Sequence, residues 1–190
     1  MRSDDLYSVP PGLPAPIDDG ACDHLVGREV PPVLLPATDD RRVRLDQATS
    51  RWTVVYAYPR TGVPNEDSPP GWDMIPGARG CTPQNCAFRD HHAELQSLGA
   101  TVYGLSTQAT AYQQEMVARL HLPFPVLSDV GLVLTKALNL PTFEYGGSVL
   151  LKRFTVILSQ GRIAHVIYPV FPSNADAPAA VAWLRSVNPT

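Results

Sequence analysis

The 190-residue chain predicts an α/β domain in which helices cover both faces of a central mixed β-sheet, and three observations carry that expectation. Two continuous apolar runs rich in β-branched and aromatic residues, TVVYAY at 53–58 and TVYGLST at 101–107, read as buried strands with a helical stretch between them. A later pair, RFTVILS at 153–159 and RIAHVIY at 162–168, turns at Gln160-Gly161 and reads as a hairpin, which makes the sheet mixed rather than wholly parallel. Apolar residues make up 44% of the chain, enough for one core of ordinary size.

Taken in order, residues 1–29 with their proline-rich run VPPGLPAP are expected to form an arm outside the domain, since proline lacks an amide donor and fixes φ. The domain is then 30–190. PPVLLPA and RRVRLD read as short strands around Asp39-Asp40, and the 53–58 strand stops at Pro59. Residues 62–76, GVPNEDSPPGWDMIP, form a Pro/Gly-rich loop that reads as an insertion. With Thr82 as N-cap and Pro83 at the first helical position, a helix runs on to a stop at Gly99. A helix from Ala111 to about Leu120 follows the 101–107 strand, then extended PFPVLSD, a helix over 130–139, the hairpin and a closing helix over 175–187. Strand-helix-strand-helix-helix-strand-strand-helix is the order of thioredoxin-like domains.

The net charge of −3, with no Lys/Arg-rich run, leaves no electrostatic footprint for nucleic acid or an anionic membrane. The first thirty residues lack a basic start and a continuous apolar stretch, and no later run has membrane-spanning length, so a reducing, cytoplasmic setting is expected. Three cysteines are too few for a secreted disulfide framework and are read one by one.

The informative stretch is PGARGCTPQNCAFRD. Cys81 follows a turn closed by Gly80 and stands at the mouth of a predicted helix, whose free amides and dipole, with Arg79 nearby, favour a thiolate. The thiolate is the nucleophilic form, so this is where peroxide chemistry would be placed. Cys86 lies five positions on; in one regular helix the two α-carbons would be roughly 8–9 Å apart, beyond the ~7 Å that a disulfide spans. Residues 81–86 would have to unwind to join them. Packing readings stand beside these: Cys81 as a small apolar residue, Cys86 as a core side chain while Cys81 reacts alone. Cys22 in the arm is either a second resolving thiol or incidental. His24, His91 and His92 lack the cysteine spacing of a zinc site, and no metal is expected. Tyr56, Tyr58 and Phe88 read as core, whereas Trp72, in the insertion, reads as a pocket residue.

That stretch resembles the peroxidatic segment of Q-type peroxiredoxins, the bacterioferritin comigratory proteins. There a PGCT-like turn is followed by an acidic or amide residue, a second cysteine five positions on, and GFRD. YPR after the first buried strand, YGLST and LPFPVLSD keep the same order, so the similarity covers roughly residues 30–185. The resemblance implies a peroxidatic Cys81, a resolving Cys86, Gln84 in the amide position and Arg153 of KRFTVILS facing the thiolate, with Pro59, Gly80 and Trp72 around the substrate. The family's Pro-x3-Thr-x2-Cys pattern, read without a gap, falls on Met74 and Ala78. Pro59 and Thr61 become its displaced equivalents if 62–76 is an insertion, since Pro59 precedes Cys81 by 22 positions where the pattern needs seven. The function so implied is a thiol peroxidase that reduces hydrogen peroxide or alkyl hydroperoxides, forms a Cys81–Cys86 disulfide, and is recycled by thioredoxin or a similar dithiol. It needs no cofactor and works as a monomer or weak homodimer. The rivals are thioredoxin-like disulfide exchange, which ordinarily uses Cys-x-x-Cys, and a non-enzymatic redox-sensing domain.

Overall fold

The computed structural model describes residues 7–64 and 66–188. Residues 1–6 of the predicted arm, Asn65 of the predicted insertion and residues 189–190 lie outside the described residues.

The first elements are an antiparallel pair, β1 (Leu34–Pro36) and β2 (Arg42–Arg44), and then β3 (Trp52–Ala57). After the long connection come α1 (Cys81–Asp90), α2 (His92–Ser97), β4 (Ala100–Ser106), α3 (Thr110–Leu120), β5 (Val126–Ser128) and α4 (Val133–Leu138). A hairpin of β6 (Thr142–Tyr145) and β7 (Ser148–Leu151) precedes β8 (Phe154–Ser159), β9 (Arg162–Ile167) and the final α5 (Asp176–Val187). Five strands form the central sheet in the order β5-β4-β3-β8-β9; β4 runs parallel to both its neighbours, and β8 runs antiparallel to β3 and β9. The sheet is mixed and thioredoxin-like.

Strand alternation sorts the core into two layers. Val54 and Tyr56 of β3 and Ile157 of β8 pack with Phe88, Leu95, Met116 and Leu184 from α1, α2, α3 and α5. Val55, Ala57, Phe154, Val156 and Leu158 face the other way, onto Leu134 and Leu138 of α4 and onto the N-terminal segment. The parity of β8 turns Thr155 and Ile157 toward α1 and α5, and Arg153, two positions before Thr155, shares their side.

Four expectations are corrected. The α1 helix begins at Cys81, with Gly80 as its N-cap at φ 103° and ψ 24° and no side-chain cap, instead of at a Thr82 cap. A Cβ at Gly80 would sit 2.1 Å from Ser173 Oγ, so the tight, left-handed entry into α1 overrides the usual N-cap preference for threonine. Pro83 then lies in the first turn, where its missing amide has no intrahelical partner to lose. Second, the expected single helix to Gly99 is broken at His91 (φ −93°, ψ 1°), whose ring nitrogen lies 2.9 Å from the Ala87 carbonyl oxygen. Third, the β6–β7 hairpin is an addition to the expected elements, although its Gly146-Gly147 turn, with φ of 56° and 76°, is a hairpin signal. Fourth, the domain begins before residue 30. Cys22 and Leu25 are core residues, and Gly27 and Val30 donate amides to Ile163 and Gly161 at 2.8 Å along β9. The second half of the predicted arm is therefore part of the fold.

The 62–76 loop is folded back on the β6–β7 hairpin. Trp72 is buried against the edge of Tyr145 (5.1 Å between ring centroids) and against Phe143 (6.1 Å), with the Arg60 guanidinium 5.8 Å from its ring. Tyr145 donates its hydroxyl to the Pro70 carbonyl at 2.7 Å, and buried Arg79 binds Asp73 at 2.8 Å and Ser68 at 2.7 Å. Among the described residues no helix is long and apolar enough to cross a membrane.

Gly80→Ala combines a left-handed backbone with a clash against Ser173, and should lower stability by about 2–4 kcal/mol in urea unfolding. An unchanged midpoint would contradict the close packing of Gly80 on Ser173.

Candidate active site

Cys81 is the first residue of α1 and is 3% exposed. Its Sγ lies 3.6 Å from the Ala78 carbonyl oxygen and accepts from Arg153 Nη2 at 3.3 Å. Arg153 enters from the start of β8, itself 3% exposed. Its Nε donates to Gly77 O at 3.3 Å, its Nη2 also to Ala78 O at 3.2 Å and Arg79 O at 3.3 Å, and its Nη1 to Gln84 Oε1. The guanidinium thus grips the turn that leads into α1 and the sulfur that ends it, and none of these bonds goes to a carboxylate.

Behind the guanidinium, Gln84 is fully buried; its Nε2 donates to Asp176 Oδ2 at 2.5 Å and to Ala57 O at 3.4 Å. Thr155 donates to the same Asp176 oxygen at 2.8 Å. The first turn of α1 is further tied by Asn85, which donates to Cys81 O at 2.8 Å and accepts the Tyr56 hydroxyl at 2.6 Å. Tyr56 stacks on Phe88 at 4.1 Å.

A cavity of about 80 Å³ opens at Cys81, and Arg60, Thr61, Trp72, Arg79 and Gly80 are among its walls. The 62–76 loop therefore supplies one side of the pocket, with Thr61 brought to the same cavity as Cys81 from 20 positions earlier in the chain. Thr61 directs its hydroxyl to Gln108 Oε1 at 3.4 Å, and its carbonyl accepts from Tyr112 at 2.9 Å. Pro59 is buried at the end of β3 and is not among the lining residues. Gln84 does not line the pocket either; complete burial places it behind Arg153, where it holds that side chain instead of meeting substrate.

All three cysteines are free thiols. Cys86 lies in the second turn of the same helix and is half-buried, so helical geometry keeps the pair roughly 8–9 Å apart. Burial pushes the Cys86 thiol up, more strongly than Arg89 and Arg119 pull it down. Cys22 is packed in the core on the far side of the sheet, where burial and Asp19, Asp18 and Asp23 push its thiol up to about 12. It packs in the core and is not among the residues that line the cavity at Cys81.

Three partners of this site escape a reading of the sequence: Asn85, Ser173 and Asp176. Asn85 sits inside the motif, but its ties to the Cys81 carbonyl and the Tyr56 hydroxyl exist only in the folded chain. Nothing local marks Ser173 or Asp176, which lie 93 positions after Gly80 and 92 after Gln84, the residues they meet.

Comparison with known proteins identifies the family. The family model described as Redoxin matches residues 25–184. Peroxiredoxin Q, chloroplastic, of Oryza sativa subsp. japonica is 32% identical over 142 residues, 75% of this chain and 58% of that protein, so the chain spans less than two thirds of the rice protein's length. Peroxiredoxin Q, chloroplastic, of Sedum lineare is 30% identical over 142 residues, 75% of this chain and 67% of that protein. The crystal structure of peroxidoxin BcpB from Mycobacterium tuberculosis superposes with a TM-score of 0.71 at 24% identity, over 87% of this chain and 99% of that one. Since the matched region holds the whole sheet and the helix that carries Cys81 and Cys86, the chain belongs to the redoxin family, as a peroxiredoxin of the Q type.

Proposed function

We propose that the chain is a thiol peroxidase acting on hydrogen peroxide or an alkyl hydroperoxide. The observation that carries this reading is the Arg153 guanidinium placed 3.3 Å from the Sγ of Cys81, which itself begins α1 and lines an open cavity. The Cys81 thiolate attacks the terminal peroxide oxygen, the O–O bond breaks, and water or alcohol leaves once the departing oxygen takes up a proton. Cys81 is then a sulfenic acid. The guanidinium and the amides at the start of α1 stabilise the anion and the negative charge that moves onto the peroxide oxygens. Thr61 and Trp72 shape the cavity, with the Thr61 hydroxyl available to a bound peroxide.

Cys86 resolves the sulfenic acid: its sulfur attacks Cys81, hydroxide leaves as water, and an intramolecular disulfide forms. This step requires the first turns of α1 to open, releasing the Asn85–Cys81 and Tyr56–Asn85 hydrogen bonds. Opening also removes the burial that disfavours the Cys86 thiolate. Distance and reactivity therefore change together, and Cys86 becomes nucleophilic when it becomes able to reach. An external dithiol such as thioredoxin then reduces the disulfide, in a reducing compartment such as the cytoplasm. An intramolecular resolving thiol lets the cycle run in a monomer or a weak homodimer.

Oxidation of the reduced protein by hydrogen peroxide, followed by stopped-flow tryptophan fluorescence and located by mass spectrometry, tests the assignment. Cys81→Ser should lose the rapid phase, Cys86→Ser should keep it and stop at the sulfenic acid, and Cys22→Ser should match wild type. Oxidation of the wild type no faster than a free thiol, or a bridge that includes Cys22, would defeat it.

Arg153→Lys keeps the charge but not the fork that reaches Gly77, Gln84 and the sulfur together. The second-order rate constant should fall roughly 10²-fold with the circular dichroism spectrum unchanged. A rate within about twofold of wild type would remove the guanidinium from the reaction.

A further inference from the structure

The site contains a buried charge that the peroxidase cycle leaves unused. Asp176 is the first residue of α5 and is 0% exposed; Gln84 and Thr155 both bond its Oδ2, and its Oδ1 has no hydrogen-bond partner. Burial raises its carboxyl from 3.8 to about 6, against the opposing pull of Gln84, Thr155 and Arg153. At neutral pH it is mostly ionised, and a half-satisfied carboxylate in the core costs stability that an amide of the same shape would not.

The direction of its hydrogen bonds limits the role this carboxylate can play. A carboxylate only accepts and a guanidinium only donates, and the Gln84 amide lies between the two. Its Nε2 must face Asp176, so its Oε1 must face Arg153. The same guanidinium ends 3.3 Å from Cys81 Sγ. The series Asp176, Gln84, Arg153, Cys81 joins α5, α1 and the entry to β8, and each charged hydrogen bond polarises the next.

We propose that Asp176 is a positioning residue for the oxidation of Cys81: its carboxylate locks the Gln84 amide in the one orientation that grips Arg153, and so aims the guanidinium at the sulfur. The inference rests on the peroxidase reading of Cys81. The titratable or charged groups that act on Asp176 or feel its charge are Arg153, from the entry to β8, and Tyr56, from β3. Tyr56 is held protonated by burial, and its hydroxyl donates to Asn85. A change in reactivity near pH 6 that depends on residue 176 therefore reports Asp176 itself.

Asp176→Asn keeps the shape and an oxygen for Thr155 while removing the charge that holds the Gln84 amide, which is left with a neutral acceptor there and the Ala57 carbonyl at 3.4 Å. The measurements are the rate constant for oxidation by hydrogen peroxide between about pH 5 and 9, and the thermal midpoint. At about pH 8 the variant should be roughly tenfold slower, the loss of one oriented charged contact. The ratio of wild type to variant should relax toward one below about pH 6, as the wild-type carboxyl takes up its proton.

The midpoint should move the other way. With the native carboxyl raised from 3.8 to about 6, the ionised unfolded chain gains on the native state as pH rises through that interval, and the penalty is complete above it. Asp176→Asn should thus melt at or above the wild-type midpoint at about pH 7.5 and lose that advantage toward about pH 4. Gln84→Met supplies the second arm: in that background Asp176→Asn should slow oxidation no further.

A faster variant overturns the proposal, because a carboxylate acting by its charge alone would disfavour the thiolate, and its removal would help. An unchanged rate with a lowered midpoint overturns it too, making Asp176 merely structural, as does an undiminished effect in the Gln84→Met background. Wild type oxidised no faster than a free thiol defeats the peroxidase reading, and the role of Asp176 with it; a fast wild type with any of the other results defeats the role of Asp176 alone.

Discussion

The contact between Arg153 and Cys81 is the constraint around which the rest of the site is arranged. A guanidinium that is 3% exposed and bonded to no carboxylate needs acceptors from elsewhere, and it takes three of them from consecutive carbonyls at Gly77, Ala78 and Arg79. Those bonds hold the turn that brings the chain into α1, and so they fix where Cys81 begins the helix. The left-handed Gly80, pressed on Ser173, completes the approach. One buried cation thereby shapes the backbone under the sulfur and offers its remaining N–H groups to the sulfur and Gln84. Such a cation is tolerable in a core because the site is built to hold a negative charge beside it.

In the proposed cycle the same turn of helix has two duties that oppose each other. Peroxide attack is favoured by an intact α1, with Cys81 at its N-terminus and Asn85 and Tyr56 bracing the first turn. Disulfide formation is favoured by a broken one. The bracing is modest: an amide that bonds a carbonyl, a tyrosine that bonds the amide, and an aromatic stack behind it, while Pro83 donates no amide to that turn. Contacts of this kind are each worth about 1 kcal/mol, which leaves α1 formed at rest and open to local unwinding.

Much of this is legible in the residues. The apolar runs at 53–58 and 101–107 form β3 and β4, and the Gln160-Gly161 turn forms the β8–β9 hairpin, because a strand buried on both faces has to be apolar throughout. Cys81 and Cys86 are marked by their setting, a glycine turn followed by a helix start, and Arg153 by the family pattern. The errors have physical causes. Thr82 is a good N-cap in isolation, but the close approach of Ser173 requires glycine two positions earlier. Proline content suggests an arm free of the fold up to residue 29, yet Cys22 and Leu25 cover apolar surface beside β9 that would otherwise face water.

By itself, the sequence determined the buried strands, the mixed sheet and the place of Cys81 at a helix start, since periodicity, turn residues and a helix-start cysteine are properties of short stretches of chain. Only the tertiary structure decided that the 62–76 loop turns back on the β6–β7 hairpin and walls the cavity with Trp72, that Gln84 holds Arg153 and lines no part of the cavity, and that Asp176 stands behind both. Gln84 and Asp176 are 92 positions apart, on different helices, and meet because the parity of β8 turns Arg153 and Thr155 to the side where α1 and α5 pack. Burial creates that meaning: a glutamine or an aspartate in water has many partners, and only when water is excluded must each buried donor find its acceptor within the protein.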